Sequence, residues 1–181
     1  MRQVACMLRC GWLFALLTGA AFHAAANGPP YPGPVANPEI DSQAYVRLAG
    51  EAVRHRESRR VSEDEFIRMA REPGAVVLDA RSKAKYDALH VRGAVNLAFP
   101  DITVESLRAL LPDRDAVVLI YCNNNFRDAP DPMPAKLPPA ALNLATYTAL
   151  YTYGYRNVYE LGPNLSVNET RIPFEDATAK R

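Results

Sequence analysis

The chain has 181 residues, 49% of them hydrophobic and 23% charged, and a formal net charge of +1. So even a balance argues against a nucleic-acid binder or a polybasic membrane-surface protein. The length suits one domain with a proper core.

The first segment reads as targeting rather than fold. "MRQVACMLR" carries Arg2 and Arg9 and no acid, "CGWLFALLTGAAF" is uncharged and mostly apolar, and "HAAAN" sets Ala24 and Ala26 in the small-x-small pattern of a signal-peptidase site. We expect a signal peptide over 1–26, cut after Ala26, and a periplasmic or secreted mature chain with no membrane association. A retained anchor is the alternative reading, but the apolar run is short for a bilayer span. Neither Cys6 nor Cys10 follows the small residues of a lipid-attachment site. Cleavage removes Arg2 and Arg9, turning the formal charge from +1 to −1, and leaves Cys122 as the lone thiol.

Residues 27–40, "NGPPYPGPVANPEI", form a Pro/Gly-rich tether that denies helix and central strand. A domain is expected over 41–165. Asp41 or Ser42 caps a helix over 43–57, with Tyr45, Leu48, Ala49, Ala52 and Val53 as its apolar stripe. The charged "RHRESRR" reads as a solvated face. Ser62 and Glu65 have capping-box spacing for a helix that buries Phe66, Met69 and Ala70 and stops at Pro73-Gly74.

"AVVLDAR" (75–81) is a continuous apolar run, as expected of a strand buried on both faces. A short helix or turn, "SKAKYDALH", separates it from a second strand over 93–99. Thr103 caps "VESLRALL", and "AVVLIY" (116–121) is a third strand, the most apolar and hence the central one. A Pro-rich insertion over 128–139 follows. A helix then fits 140–153, with Leu142, Ala145, Thr146, Ala149, Leu150 and Tyr153 on one face and Gly154 just beyond its end. "RNVYEL" (156–161) is a fourth strand, and the polar tail 166–181 is expected to dock loosely or fray. Asn164 and Asn168 head glycosylation sequons, which matter only in a eukaryotic secretory pathway.

Strands alternating with helices imply an α/β fold with a central parallel sheet flanked by helices on both faces. Such sheets place their sites beyond the carboxyl ends of the strands, and Cys122 stands at that end of the central strand. A nucleophilic thiolate there needs converging N–H groups, a helix N-terminus or a cation. "CNNNFR" supplies asparagines, which tolerate the positive φ of a tight curl better than most residues. An inert buried cysteine and an ordinary Asn-rich turn are the plain alternatives.

The ordered set "VVLDAR", "HVRGAVNLAF", "VVLIYCNNNFR" and "YTYGYRNVYEL" resembles a rhodanese-like domain over roughly residues 60–162. The resemblance implies transfer of a sulfane sulfur from thiosulfate or a similar donor to a thiol or cyanide acceptor through a Cys122 persulfide. It implies a cradle of Asn123, Asn124, Asn125, Phe126 and Arg127 for the anion, with Arg127 steering the donor. Asp79 and Arg81 match the family's D-x-R and support the site. No cofactor or metal is implied, and one mature cysteine with His55 and His90 gives too few soft ligands for a metal. The related phosphatases need an arginine where this chain has Asp128.

This chain departs from the family in having Asn125 where a glycine usually stands, and in its insertion. The insertion either covers the site as a lid or holds the following helix away. The alternative function is a catalytically weak or inactive rhodanese-like module that binds a sulfur species, an anion or a protein. A thiol redox partner is a third reading, and it would borrow its resolving thiol.

Overall fold

The most apolar run of the sequence lies in the middle of the sheet. The computed structural model describes residues 35–176; the expected signal peptide, most of the tether and residues 177–181 lie outside the described residues. Residues 35–37 belong to a separate unit from the domain that begins at Pro38, and residues 35–40 are exposed.

In chain order the elements are α1 (Ser42–Glu57), β1 (Arg60–Val61), α2 (Glu63–Met69), β2 (Val76–Asp79), α3 (Lys83–Ala88), β3 (His90–Val91), β4 (Val95–Asn96) and α4 (Val104–Leu110). There follow β5 (Val118–Tyr121), β6 (Phe126–Arg127), α5 (Leu142–Thr152), β7 (Val158–Leu161), β8 (Leu165–Ser166) and β9 (Phe174–Glu175). The main sheet is parallel, in the order β1-β7-β5-β2-β4. β5 is central, as its composition predicts. β1 is the strand the sequence hides: Arg60 and Val61, at the end of a charged segment, pair in parallel with Glu160 and Leu161 of β7.

Helices cover both faces, and alternation along the strands assigns each side chain to one of them. Val118 and Ile120 pack with Leu78, Val158, Ala52, Leu107, Tyr147 and Leu150, under α1, α4 and α5. Leu119 and Tyr121 pack with Val77, Leu161, Phe66 and Met69, under α2. Phe66 is fully buried, and each such side chain contributes ~1.5–3 kcal/mol.

The caps are largely those the sequence predicts. Asp41 accepts from the Ala44 N–H at 2.8 Å, Ser62 from that of Glu65 at 3.3 Å, and Thr103 forms a capping box with Ser106. At the end of α5, Gly154 has φ 96°, and Gly154 and Tyr155 donate to Tyr151 and Leu150. This Schellman closure needs the left-handed backbone that glycine adopts freely.

Four expectations need correction. The α1 stripe is narrower than its pattern: Ala52 is buried, but Tyr45 is 66% and Val53 48% exposed, because α1 packs mainly on α5 and reaches the sheet only at β7. The buried face of α5 is Asn143, Thr146, Tyr147 and Leu150, rotated from the apolar count because a polar Asn143 points inward. The second strand is only Val95–Asn96; the chain then enters a 3₁₀ turn at Phe99–Asp101 around Pro100. The tail through residue 176 does not fray. Ile172 is buried and β9 pairs antiparallel with β3, while Thr170 and Arg171 donate to Glu63 at 2.6 Å.

Candidate active site

Cys122 follows β5 directly and keeps an extended backbone, so its side chain leaves the same face as Ile120, toward α5. It is 1% exposed. Residues Asn123–Asn125 then form one 3₁₀ turn. The Asn124 amide and those of Asn143 and Leu142, in the first turn of α5, act on the thiol and favour its anionic form. The insertion therefore does not hold the helix away: the first turn of α5 returns to the cysteine loop, where Asn143 Nδ2 and the Cys122 N–H share Asn125 Oδ1.

Burial nevertheless dominates the thiol and pushes it up from its ordinary range. The three amides pull the other way, and the Glu160 carboxylate adds to the rise.

The asparagines work by a different means from the one expected. None of residues 123–127 has positive φ; the left-handed residue is Asp128, at 68°. The side-chain amides matter instead. Asn125 is buried and its Oδ1 accepts from the Cys122 N–H and from Asn143 Nδ2, both at 2.9 Å. Its Nδ2 donates to Leu161 O at 2.6 Å, so the loop is tied to α5 and to the end of β7. A 3₁₀ turn needs no glycine, and a glycine here would leave those partners unpaired. Asn123 donates to Pro134 O at 2.8 Å. Asn124 donates to Lys136 O at 2.8 Å and accepts from Lys136 N–H at 3.0 Å. Both asparagines hold the insertion down.

Phe126 packs in the core beneath the loop, edge-on to Tyr121 and Phe174. Arg127 is turned outward in the β6–β8 pair. It donates to Asn164 O at 2.9 Å and lies 3.7 Å from Asp128 and 3.6 Å from Glu169. The groups that act most on the sulfur are Asn124, Leu142, Asn143 and Glu160.

Asp79 and Arg81 form a buried frame beside the site. Both Asp79 oxygens accept from Arg81, and Tyr121 donates its hydroxyl to the same carboxylate. Arg81 also donates to Leu89 O at 2.7 Å and to Pro132 O at 3.0 Å, and Lys85 reaches Asp131 O. With Met133 buried, these bonds make the insertion a packed cover.

A cavity of about 440 Å³ lies beside the cover. Ala80, Ala98, Phe99, Pro134 and Leu142 give it apolar walls, and Lys85 and Lys136 bring positive charge. Among the described residues no group of three or more His, Cys, Asp or Glu could hold a metal ion. No helix there is long and apolar enough to cross a membrane.

Sequence reading missed Leu142, Asn143 and Glu160. One signal was available: a glutamate inside the apolar strand "NVYEL" has to be paired when buried. Asn143 gave none, since an asparagine in a first helical turn reads as surface.

Fold and site define a class: a parallel α/β domain whose central strand ends on a buried cysteine, in a turn roofed by a helix N-terminus. The Rhodanese-like domain model matches residues 62–162, more than half of the chain, and the protein belongs to that family. Solved structures with a similar fold include a "rhodanese with anions" from E. coli, at 20% identity and TM-score 0.39, covering 56% of this chain and 98% of that one. The Alr3790 protein from Anabaena sp. is 19% identical, with TM-score 0.46 and coverage of 64% and 80%. BH2092 from Bacillus halodurans is 24% identical, with TM-score 0.42 and coverage of 63% and 75%. Curated proteins give no match.

Proposed function

We propose that this domain is a sulfurtransferase that carries a sulfane sulfur on Cys122, in a chain exported to the periplasm or secreted. The observation that carries the reading is the place of Cys122 at the carboxyl end of the central strand, in a turn that Asn125 ties to the first turn of α5. The amides of Asn124, Asn143 and Leu142 favour an anionic sulfur against the opposing effect of burial, and the chemistry needs neither a metal nor a second thiol.

The Cys122 thiol loses its proton to solvent, and the thiolate attacks the outer sulfur of thiosulfate. The sulfur–sulfur bond of the donor breaks, and sulfite leaves with the electron pair. Cys122 then bears a persulfide anion, which the same amides hold. An acceptor thiolate, or cyanide, attacks the terminal sulfur, and the Cys122 thiolate is restored. Lys85 and Lys136 bring positive charge to the cavity by which a small anion would approach. Arg127, committed to Asn164 O, is not assigned the steering role its sequence position suggests.

Thiosulfate:cyanide transfer tests the reading. Turnover that disappears in Cys122→Ser supports it, and equal rates in the two proteins overturn it.

One observation favours a second reading, a binding module with slow or no turnover. Cys122 is 1% exposed, and the turn that follows it is tied to an insertion pinned by Asn123, Asn124, Arg81 and Lys85. Under that reading thiosulfate protects the insertion from proteolysis but leaves no sulfur on Cys122.

A further inference from the structure

Glu160 shares a sheet face with the reactive sulfur. Ile120 and Glu160 are in register across the β5–β7 pair, so their side chains leave the same face. Cys122, two residues beyond Ile120 and still extended, joins them. Such a diagonal offset on neighbouring strands spans ~7–8 Å. Glu160 is 3% exposed. A bare carboxylate buried there would oppose the charge that sulfur chemistry must build on Sγ.

The carboxylate is not bare. Arg56, in the last turn of α1, grips it with two nitrogens: Nη2 donates to Oε1 at 2.6 Å, and Nε donates to Oε2. This fork supplies both charge and fixed orientation. It comes from a helix that ends before the family match begins at residue 62.

The remaining ionisable groups on this face leave the pair in control. From α5, Tyr147 is pushed up to about 12, chiefly by burial, and so stays neutral at working pH. From α1, His55, with Nδ1 2.8 Å from the Tyr147 hydroxyl, is held below its ordinary value by burial and by Arg59 and Arg156, which favours its neutral form. Arg59 bonds Asn157 and lies over the Tyr159 ring, and Arg156 lies over Tyr151. The cysteine loop contributes amides and no charge on this side.

We propose that Arg56 is a positioning residue for Cys122: by closing an ion pair with Glu160, helix α1 allows negative charge to develop on the sulfur. The role in transfer rests on the sulfurtransferase reading, whereas the control of ionisation does not.

The test is the pH dependence of Cys122 alkylation by neutral iodoacetamide, read on the Cys122 peptide by mass spectrometry. The wild type is compared with Glu160→Gln, Arg56→Gln and Arg56→Lys. Glu160→Gln is expected to lower the midpoint by about one pH unit, a roughly tenfold faster reaction below it. Arg56→Gln is expected to raise it by a similar amount, and Arg56→Lys to stay nearer the wild type. Mere loosening of the cover raises the rate at every pH and leaves the midpoint in place. Midpoints that do not move, or that move in the same direction in both Gln variants, overturn the proposal. If Arg56→Gln does not fold, an unmoved midpoint in Glu160→Gln is sufficient to overturn it. Opposed shifts without any sulfur transfer would leave the charge pair standing and remove the sulfurtransferase reading alone.

Discussion

Asn124 and Lys136 face each other as two strand residues would: the side-chain amide of one exchanges two hydrogen bonds, at 2.8 and 3.0 Å, with the backbone of the other. This pair fastens the far end of the insertion to the turn that follows Cys122. The insertion is thereby a cover whose opening is coupled to the geometry of the cysteine loop.

Asn124→Ala should release that end while Pro134 stays held by Asn123 and Pro132 by Arg81. Each lost bond costs about 1 kcal/mol. The Lys136 amide should exchange with solvent at least tenfold faster, and limited proteolysis should cut first within 128–139. Unchanged exchange at Lys136 would remove the clasp from the account.

Asn125 has a heavier structural role. Asn125→Ala strips partners from the Cys122 N–H, Asn143 Nδ2 and Leu161 O in a buried site. Leaving such groups unpaired should cost about 3 kcal/mol. Asn125→Gly, which restores the family's usual residue, should be as damaging, since the turn here needs an amide and not a positive φ. Urea unfolding of the two variants measures both effects.

The Asp79–Arg81 pair is almost wholly inaccessible, with 0% and 2% side-chain exposure. Arg81→Met leaves a buried carboxylate without its cation and frees Pro132 O, and it should destabilise by about 3–5 kcal/mol. Pairing it with Asp79→Asn should recover part of that loss, because the two residues act as one unit. Additive losses in the double variant would contradict the pairing.

Burial raises the Cys122 thiol above its unfolded value, and this has a signed consequence for stability. Below about pH 8.5 both states hold the proton and the contribution is complete. As pH climbs through the folded value, the unfolded chain ionises first and stability falls. Above about pH 10 the raised tyrosines Tyr121 and Tyr147 add the same trend. Urea midpoints should therefore decline between about pH 8.5 and 10, and the slope over that window should flatten in Cys122→Ala whatever its absolute stability.

Much of this was legible in the sequence, because the strongest signals are local. The apolar run ending at Tyr121, the caps at Asp41, Ser62 and Thr103, and Gly154 each state their conformation within a few residues. β1 was hidden because an arginine and a valine at the end of a charged segment are too short to show a period. Arg127 had the sequence position of a site residue but not its direction, which the β6–β8 pair fixes. The asparagines lie in the turn after Cys122, but none of them adopts the positive φ expected of them. Whether an asparagine acts through φ or through its side-chain amide depends on partners such as Pro134, Lys136, Leu161 and Asn143, far along the chain.

The central claim is that Cys122 carries a transferable sulfur. Purified protein is incubated with thiosulfate, digested without reductant, and the Cys122 peptide is weighed before and after cyanide is added. The account predicts a gain of one sulfur atom on that peptide, lost on addition of cyanide with formation of thiocyanate. A Cys122 peptide that gains no sulfur, in a folded protein whose cysteine still reacts with iodoacetamide, would contradict it.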